Sequence, residues 1–147
     1  MVGCPTQPGT YALVLACHAT GAISIGRLGV LNLRSGFYVY IGSAFGPGGL
    51  ASRIQHHHRI AARPHWHIDY LRAACALVEV WFTTDAVHRE HAWAKAVGGM
   101  PGALVPLPGF GSSDCECQSH LFFFKGMPPR NTFAGVSVGK QQLSIDK

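Results

Sequence analysis

The first third of the chain carries its apolar residues in short runs of β type. Tyr11–Cys17 is a short, continuous apolar stretch, as a strand buried on both faces would be. Ala22–Leu33, broken by spaced glycines, predicts a further strand or a hairpin. Gly36–Gly42 sets Phe37, Tyr38, Val39, Tyr40 and Ile41 between two glycines, an aromatic and β-branched composition that favours a strand. Tyr38 and Tyr40, two residues apart, point to the same side of it, and most strand aromatics of this kind are packing residues. The run Gly46-Pro-Gly-Gly49 then breaks the pattern.

Past that break the period lengthens. Leu50, Ile54, His57 or His58, and Ala61 recur at helical spacing and predict a helix over Leu50–Ala62, ended by Pro64. A second helix is predicted over His67–Cys75, a strand over Leu77–Thr83, and a third helix over Ala86–Val97 with Asp85 as N-cap. Met100–Gly111 reads as loop, Ser119–Lys125 as a last, mostly buried strand, and 126–147 as a loosely ordered tail. Strands, helix, helix, strand, helix, strand is the order of an α+β fold. The expectation is a small, mainly antiparallel sheet flanked by about three helices, in one domain spanning 9–125.

Composition narrows the class. A chain of 147 residues with 48% hydrophobic and 13% charged residues suits one domain with a real core and excludes extended disorder. No internal repeat is visible. Its five cysteines, Cys4, Cys17, Cys75, Cys115 and Cys117, are odd in number and lack framework spacing, which argues against a secreted disulfide scaffold. Lys and Arg are missing before Arg27 and no apolar run approaches a membrane span, so the expectation is a reduced, cytoplasmic protein with no membrane partner. The net charge of +5 admits nucleic acid as a partner without requiring it.

Only seven acids are present, Asp69, Glu79, Asp85, Glu90, Asp114, Glu116 and Asp146, so carboxylate chemistry has few candidates. On a helical wheel Glu90 falls with Val87, His91, Ala94 and Val97 on the apolar face. A Glu there pairs with a nearby Arg, sits at the edge of the face, or faces a cleft as metal ligand or acid–base group. Arg53 and His57, four residues apart, share a helix face, where a guanidinium can clamp phosphate and an imidazole can move a proton. The plainer reading is a snorkelling Arg beside a solvated run of His. From Arg53 to Arg72 lie four Arg and five His against one acid, Asp69, with Trp66 and Tyr70 interleaved. That mix suits a phosphate backbone and stacked bases, although Trp66 and Tyr70 are also spaced as ordinary packing residues.

Cys115-x-Cys117-x-x-His120 offers three soft ligands, one short of a structural zinc site, and simple packing is the favoured reading over zinc. Gly46-Pro-Gly-Gly49 can aim backbone N–H groups at an anion, but it lacks the Gly-Lys-Ser/Thr ending of a nucleotide loop.

Gly9-Thr10-Tyr11, Tyr40-Ile41-Gly42, Arg53, His57 and Glu90, taken in order, resemble the GIY-YIG nuclease superfamily. The nearer likeness is to its Uri-type endonuclease branch. It is carried by Gly36-Phe-Tyr-Val-Tyr-Ile-Gly-Ser-Ala44, Gly46-Pro-Gly-Gly-Leu50, His65-Trp-His-Ile-Asp-Tyr-Leu71, Gly111-Ser-Ser-Asp-Cys115 and Ser119-His-Leu121. It spans Gly9–Phe124. Thr10 stands where the superfamily has Ile, and residues 18–35 set the two half-motifs farther apart than the compact pattern, as an extra hairpin would.

The resemblance implies a metal-dependent endonuclease acting on DNA, RNA not being excluded, with a place in DNA repair or processing. Glu90 is then the ligand of one Mg²⁺ or Mn²⁺, and Arg53 stabilises phosphate charge. Tyr40 orients water or phosphate, and the general base is Tyr11 or His57. Gly42, Arg59, Arg63 and His67 are the nucleic-acid-binding candidates; His67 and Asp69 can equally serve to position the first helix. The alternative is a non-catalytic nucleic-acid-binding module on the same scaffold. The sequence leaves the oligomeric state open.

Overall fold

A computed structural model describes residues 5–112 and 117–128, and the backbone of 137–140. The strands are β1 (Gly9–Cys17), β2 (Gly21–Ile25), β3 (Gly29–Leu33), β4 (Gly36–Ala44), β5 (Ala76–Thr83), β6 (Leu121–Phe124) and β7 (Ser137–Lys140). The helices are α1 (Gly49–His58), α2 (His67–Arg72) and α3 (Glu90–Gly98). Five strands form one sheet in the order β6-β4-β1-β5-β7, with every neighbouring pair antiparallel, and β2–β3 is a separate hairpin. The expected α+β class and antiparallel sheet are what is found.

The unbroken apolar run of β1 follows from its central place, since layers cover both faces of the sheet. Tyr11, Leu13, Leu15 and Cys17 pack with the hairpin, α1 and α2 through Ile25, Leu31, Leu50, Ile54, Ile68 and Leu71. Ala12 and Val14 turn the other way, against Trp93, Ala94 and Val97 of α3. Residues 18–35 hold the expected extra hairpin. They do not disturb the meeting of the half-motifs, because β1 and β4 pair directly, with Tyr11 opposite Gly42 and Leu13 opposite Tyr40.

Several boundaries differ from expectation, each for a local reason. Helix α1 stops at His58 rather than Ala62. Its last carbonyls are taken by Arg72, whose Nε donates to His57 O at 2.8 Å and whose Nη2 donates to His58 O at 3.1 Å. Helix α2 ends at Arg72, and Ala73–Cys75 follow as a turn bonded to Leu71 O. Helix α3 begins at Glu90, not Ala86, which corrects the reading of Asp85 as its N-cap. Asp85 instead accepts the Val87 N–H at 3.0 Å and pairs with Arg89. Val87 is therefore off the helix and exposed, and the buried face of α3 is Trp93, Ala94 and Val97. The segment after residue 125, expected to be a loose tail, contributes β7 against β5. No helix among the described residues is long and apolar enough to cross a membrane.

Candidate active site

One end of the sheet, between the start of β1 and the end of β4, receives side chains from α1 on one face and from the start of α3 on the other. Two glycines shape it. A Cβ on Gly9 would run into the Thr83 carbonyl of the neighbouring strand, and a Cβ on Gly42 would lie 2.5 Å from both Cζ and Oη of Tyr11. Gly42, a candidate for binding nucleic acid, is thus the bare patch of sheet over which the Tyr11 ring lies. Gly42→Ala is expected to displace that ring, cost about 1–3 kcal/mol as overpacking does, and disable the site. Urea unfolding would show the cost.

Tyr11 is buried, and its hydroxyl lies 2.7 Å from Nε2 of His57, itself only 1% exposed. Burial raises the Tyr11 phenol well above its ordinary value, the neighbouring Tyr40 adds to this, and Arg53 offsets only part of it. Burial also lowers His57 to about 3, helped by the charges of His56 and Arg53. At neutral pH the pair is a neutral phenol hydrogen-bonded to a neutral imidazole. His57 Nδ1 has no hydrogen-bond partner among the described residues. Tyr40 completes the aromatic group, its ring centre 6.4 Å from that of Tyr11 and 6.3 Å from that of His57. Burial and the charge of Glu90 push the Tyr40 phenol up as well.

Arg53 and His57 share the α1 face as their spacing requires. Arg53 Nη1 donates to the Ser43 carbonyl at 3.0 Å, and its guanidinium lies 4.4 Å from the centre of the Trp66 ring, a cation–π contact that fixes the charge in place. Trp66 thus packs at the edge of the core and backs Arg53. Ser43, out of phase with Tyr40 along β4, sides with α3. Burial alone would raise the Glu90 carboxyl, but the hydrogen bond and charge of His120, the charge of His91 and a hydrogen bond from Ser43 hold it below its ordinary value. His120 Nδ1 lies 3.1 Å from Glu90 Oε2, and the Glu90 side chain is 22% exposed. The resulting group is an ionised carboxylate with one side open to solvent. That is the donor Mg²⁺ or Mn²⁺ takes when it keeps most of its water ligands, so Glu90 fits the ion.

Thr10 explains itself here. Its buried hydroxyl accepts the Arg89 N–H at 3.1 Å, anchoring the start of α3 one residue before Glu90. An Ile at that position has no such acceptor.

The basic segment divides by role. Arg59 and Arg63 are exposed and can meet phosphate, whereas Arg72 is spent on backbone carbonyls. His67 Nδ1 accepts the Gly111 N–H at 2.8 Å and so latches the loop before 113. Asp69 accepts the N–H groups of His65 and Trp66 at 2.9 and 3.0 Å and pairs with His56 Nε2 at 2.9 Å. Burial acts to raise its carboxyl, but these bonds hold it below the ordinary value. His56, His57 and Asp69 lie close enough to cage a metal. Asp69, however, is already committed on both oxygens, so the trio wires α2 to α1. Four amides from the end of the Gly46–Gly49 loop into α1 are taken up within the chain. Gly49 N–H goes to Gly46 O, Leu50 to Gln7 O, Ala51 to Pro5 O and Ser52 to Gly48 O. Cys115, Asp114 and Glu116 lie outside the described residues.

A family model described as "Domain of unknown function DUF123" matches residues 10–139, from the start of β1 into β7. No curated protein and no solved structure matches the chain.

Proposed function

We propose that this chain, which belongs to the DUF123 family, is a divalent-metal-dependent endonuclease of the GIY-YIG kind, of the Uri-type branch, hydrolysing phosphodiester bonds in DNA. The observation that carries this reading is the gathering of Tyr11, Tyr40, Arg53 and His57 at one end of the sheet, with Glu90 ionised on the far side of Ser43.

A phosphodiester needs a clamp for its charge, a nucleophilic water, somewhere for that water's proton to go, and help for the leaving oxygen. Arg53 supplies the clamp, with its position fixed in advance by Ser43 and Trp66. Tyr40, a neutral phenol, donates a hydrogen bond that orients phosphate or water. Tyr11 accepts the water's proton as it passes its own to His57 Nε2. A His57 near 3 is a weak base, but an anionic phosphate beside it favours the imidazolium and raises its basicity as substrate binds. When bound at Glu90, Mg²⁺ or Mn²⁺ would stabilise the phosphate charge and the departing 3′ oxygen. Arg59 and Arg63 extend positive charge beyond the reacting bond.

The test is a cleavage panel of tag-free protein with Mg²⁺, Mn²⁺ or EDTA over single-stranded, duplex and branched DNA and the corresponding RNAs. The expected result is metal-dependent strand cleavage of at least one DNA, lost in EDTA. Tight, salt-sensitive binding with no turnover across the whole panel would overturn the endonuclease reading and leave a nucleic-acid-binding module.

A further inference from the structure

Beside Glu90, and apart from the tyrosine–histidine group, lies a second set of donors. His91 follows Glu90 in the first turn of α3, while Cys117 and His120 stand at the two ends of the segment that enters β6. One ligand atom from each of the three lies within 4.8 Å of the others, and the rings of His91 and His120 are 6.0 Å apart between centres. His120 is buried, Cys117 half-buried and His91 exposed, so the set has a fixed floor and an open side through which an ion can enter.

The donor types discriminate among metals. A thiolate with two imidazoles is a borderline-soft set suited to Zn²⁺ and poor for Mg²⁺, which prefers oxygen. Tetrahedral Zn–N and Zn–S bonds of about 2.0–2.3 Å place donors roughly 3.5 Å apart. The gathering therefore needs to close by about 1 Å, within reach of side-chain rotation by the exposed His91. Glu90 supplies the outer support. His120 Nδ1 lies 3.1 Å from Glu90 Oε2, and a proton held on that nitrogen would leave Nε2 as the lone-pair donor, the tautomer that a carboxylate–imidazole–zinc arrangement uses. Among the described residues the set holds three protein donors, which leaves a fourth position for a further ligand such as water.

We propose that His91, Cys117 and His120 bind one zinc ion, which ties the start of α3 to the segment entering β6 and so holds His120 against Glu90. The site is separate from the ion assigned to Glu90, and it does not depend on the endonuclease reading. Among the described residues, His91 is the donor that joins Cys117 and His120.

The test uses tag-free full-length protein, stripped with chelator, reloaded with zinc and dialysed, with metal counted by mass spectrometry. Cobalt loading reports the ligands spectroscopically. One zinc per chain is expected, and the cobalt form should show thiolate-to-metal charge transfer. His91→Ala, at an exposed position, and Cys117→Ser, a near-isosteric change at a half-buried one, should each weaken zinc binding at least about tenfold with circular dichroism unchanged. Parent protein that binds no zinc, or whose cobalt form lacks the thiolate band, would overturn the proposal without any variant being needed. So would His91→Ala that keeps full zinc affinity, since the ion would then belong to the cysteine pair. None of these outcomes bears on whether the protein cleaves DNA.

Discussion

Glu90→Gln is expected to fold like the parent and to lose metal-dependent cleavage by on the order of 10³-fold or more, the scale of removing a principal electrostatic stabiliser of the transition state. The fold should survive because Glu90 occupies the first turn of α3. The helix itself is held by Trp93, Ala94 and Val97 in the core and by Thr10 at its start. Gln keeps the size of the side chain and removes the charge that His120, His91 and Ser43 keep in place. Arg53→Lys is the companion variant. It retains a positive charge but forfeits the planar fork held by the Ser43 carbonyl and the Trp66 ring, and a loss of about 10²–10³-fold is expected. Binding separates the two readings of the scaffold. Taking a carboxylate away from a phosphate site should leave DNA affinity equal or higher, so a Glu90→Gln protein that binds well and cuts nothing is the expected outcome. Undiminished cleavage by that variant, with contaminating nuclease excluded, would remove Glu90 from the chemistry.

The sheet was legible in the sequence because its strands announce themselves by composition. The apolar run of β1 and the aromatic β4 are each what a strand covered on both faces or paired on both edges demands. Helix limits were less legible, since they depend on distant partners. Nothing near His58 says that Arg72, fourteen residues on, will cap it. Nothing near Asp85 says that Thr10 will set where α3 begins. The same holds in the site. Arg53 and His57 were visible as a pair because helical spacing is local, and the scarcity of acids drew attention to Glu90. The support that Ser43 and Trp66 give Arg53 was not legible, because a serine after a strand glycine and a tryptophan before a helix gain that role only when α1 crosses β4. The wheel placed His91 on an apolar face, whereas the later start of α3 leaves it exposed beside Cys117 and His120. The four-residue strand β7 gave no signal strong enough to set against the prolines and glycines that precede it, and its pairing with the edge of β5 is a tertiary fact.

The largest effect on stability is expected on the acid side of neutrality. The folded protein holds His57 near 3 against an ordinary value of 6.5, chiefly because burial excludes the charged ring. The unfolded chain therefore binds a proton more readily than the folded one over that interval. The sign follows directly: the stability associated with a neutral His57 is fully present above pH 6.5 and is lost as pH falls from there towards 3. At 1.36 kcal/mol for each pH unit of such a difference, the loss by pH 4 is on the order of 3 kcal/mol. Urea unfolding at pH 7, 5.5 and 4 measures it. A His57→Phe, Tyr11→Phe double variant removes the titrating ring and its hydroxyl partner together, so no buried donor is left unmatched. Its stability should fall more shallowly with pH than the parent's between pH 6.5 and 4; His58 and His67, lowered by burial, and the carboxylates of Asp69 and Glu90, also held low, act in both proteins. Equal slopes in parent and double variant would show that His57 protonates freely in the folded state. In that event the neutral tyrosine–histidine pair, and with it the proton relay from water to Tyr11 to His57, would have to be abandoned.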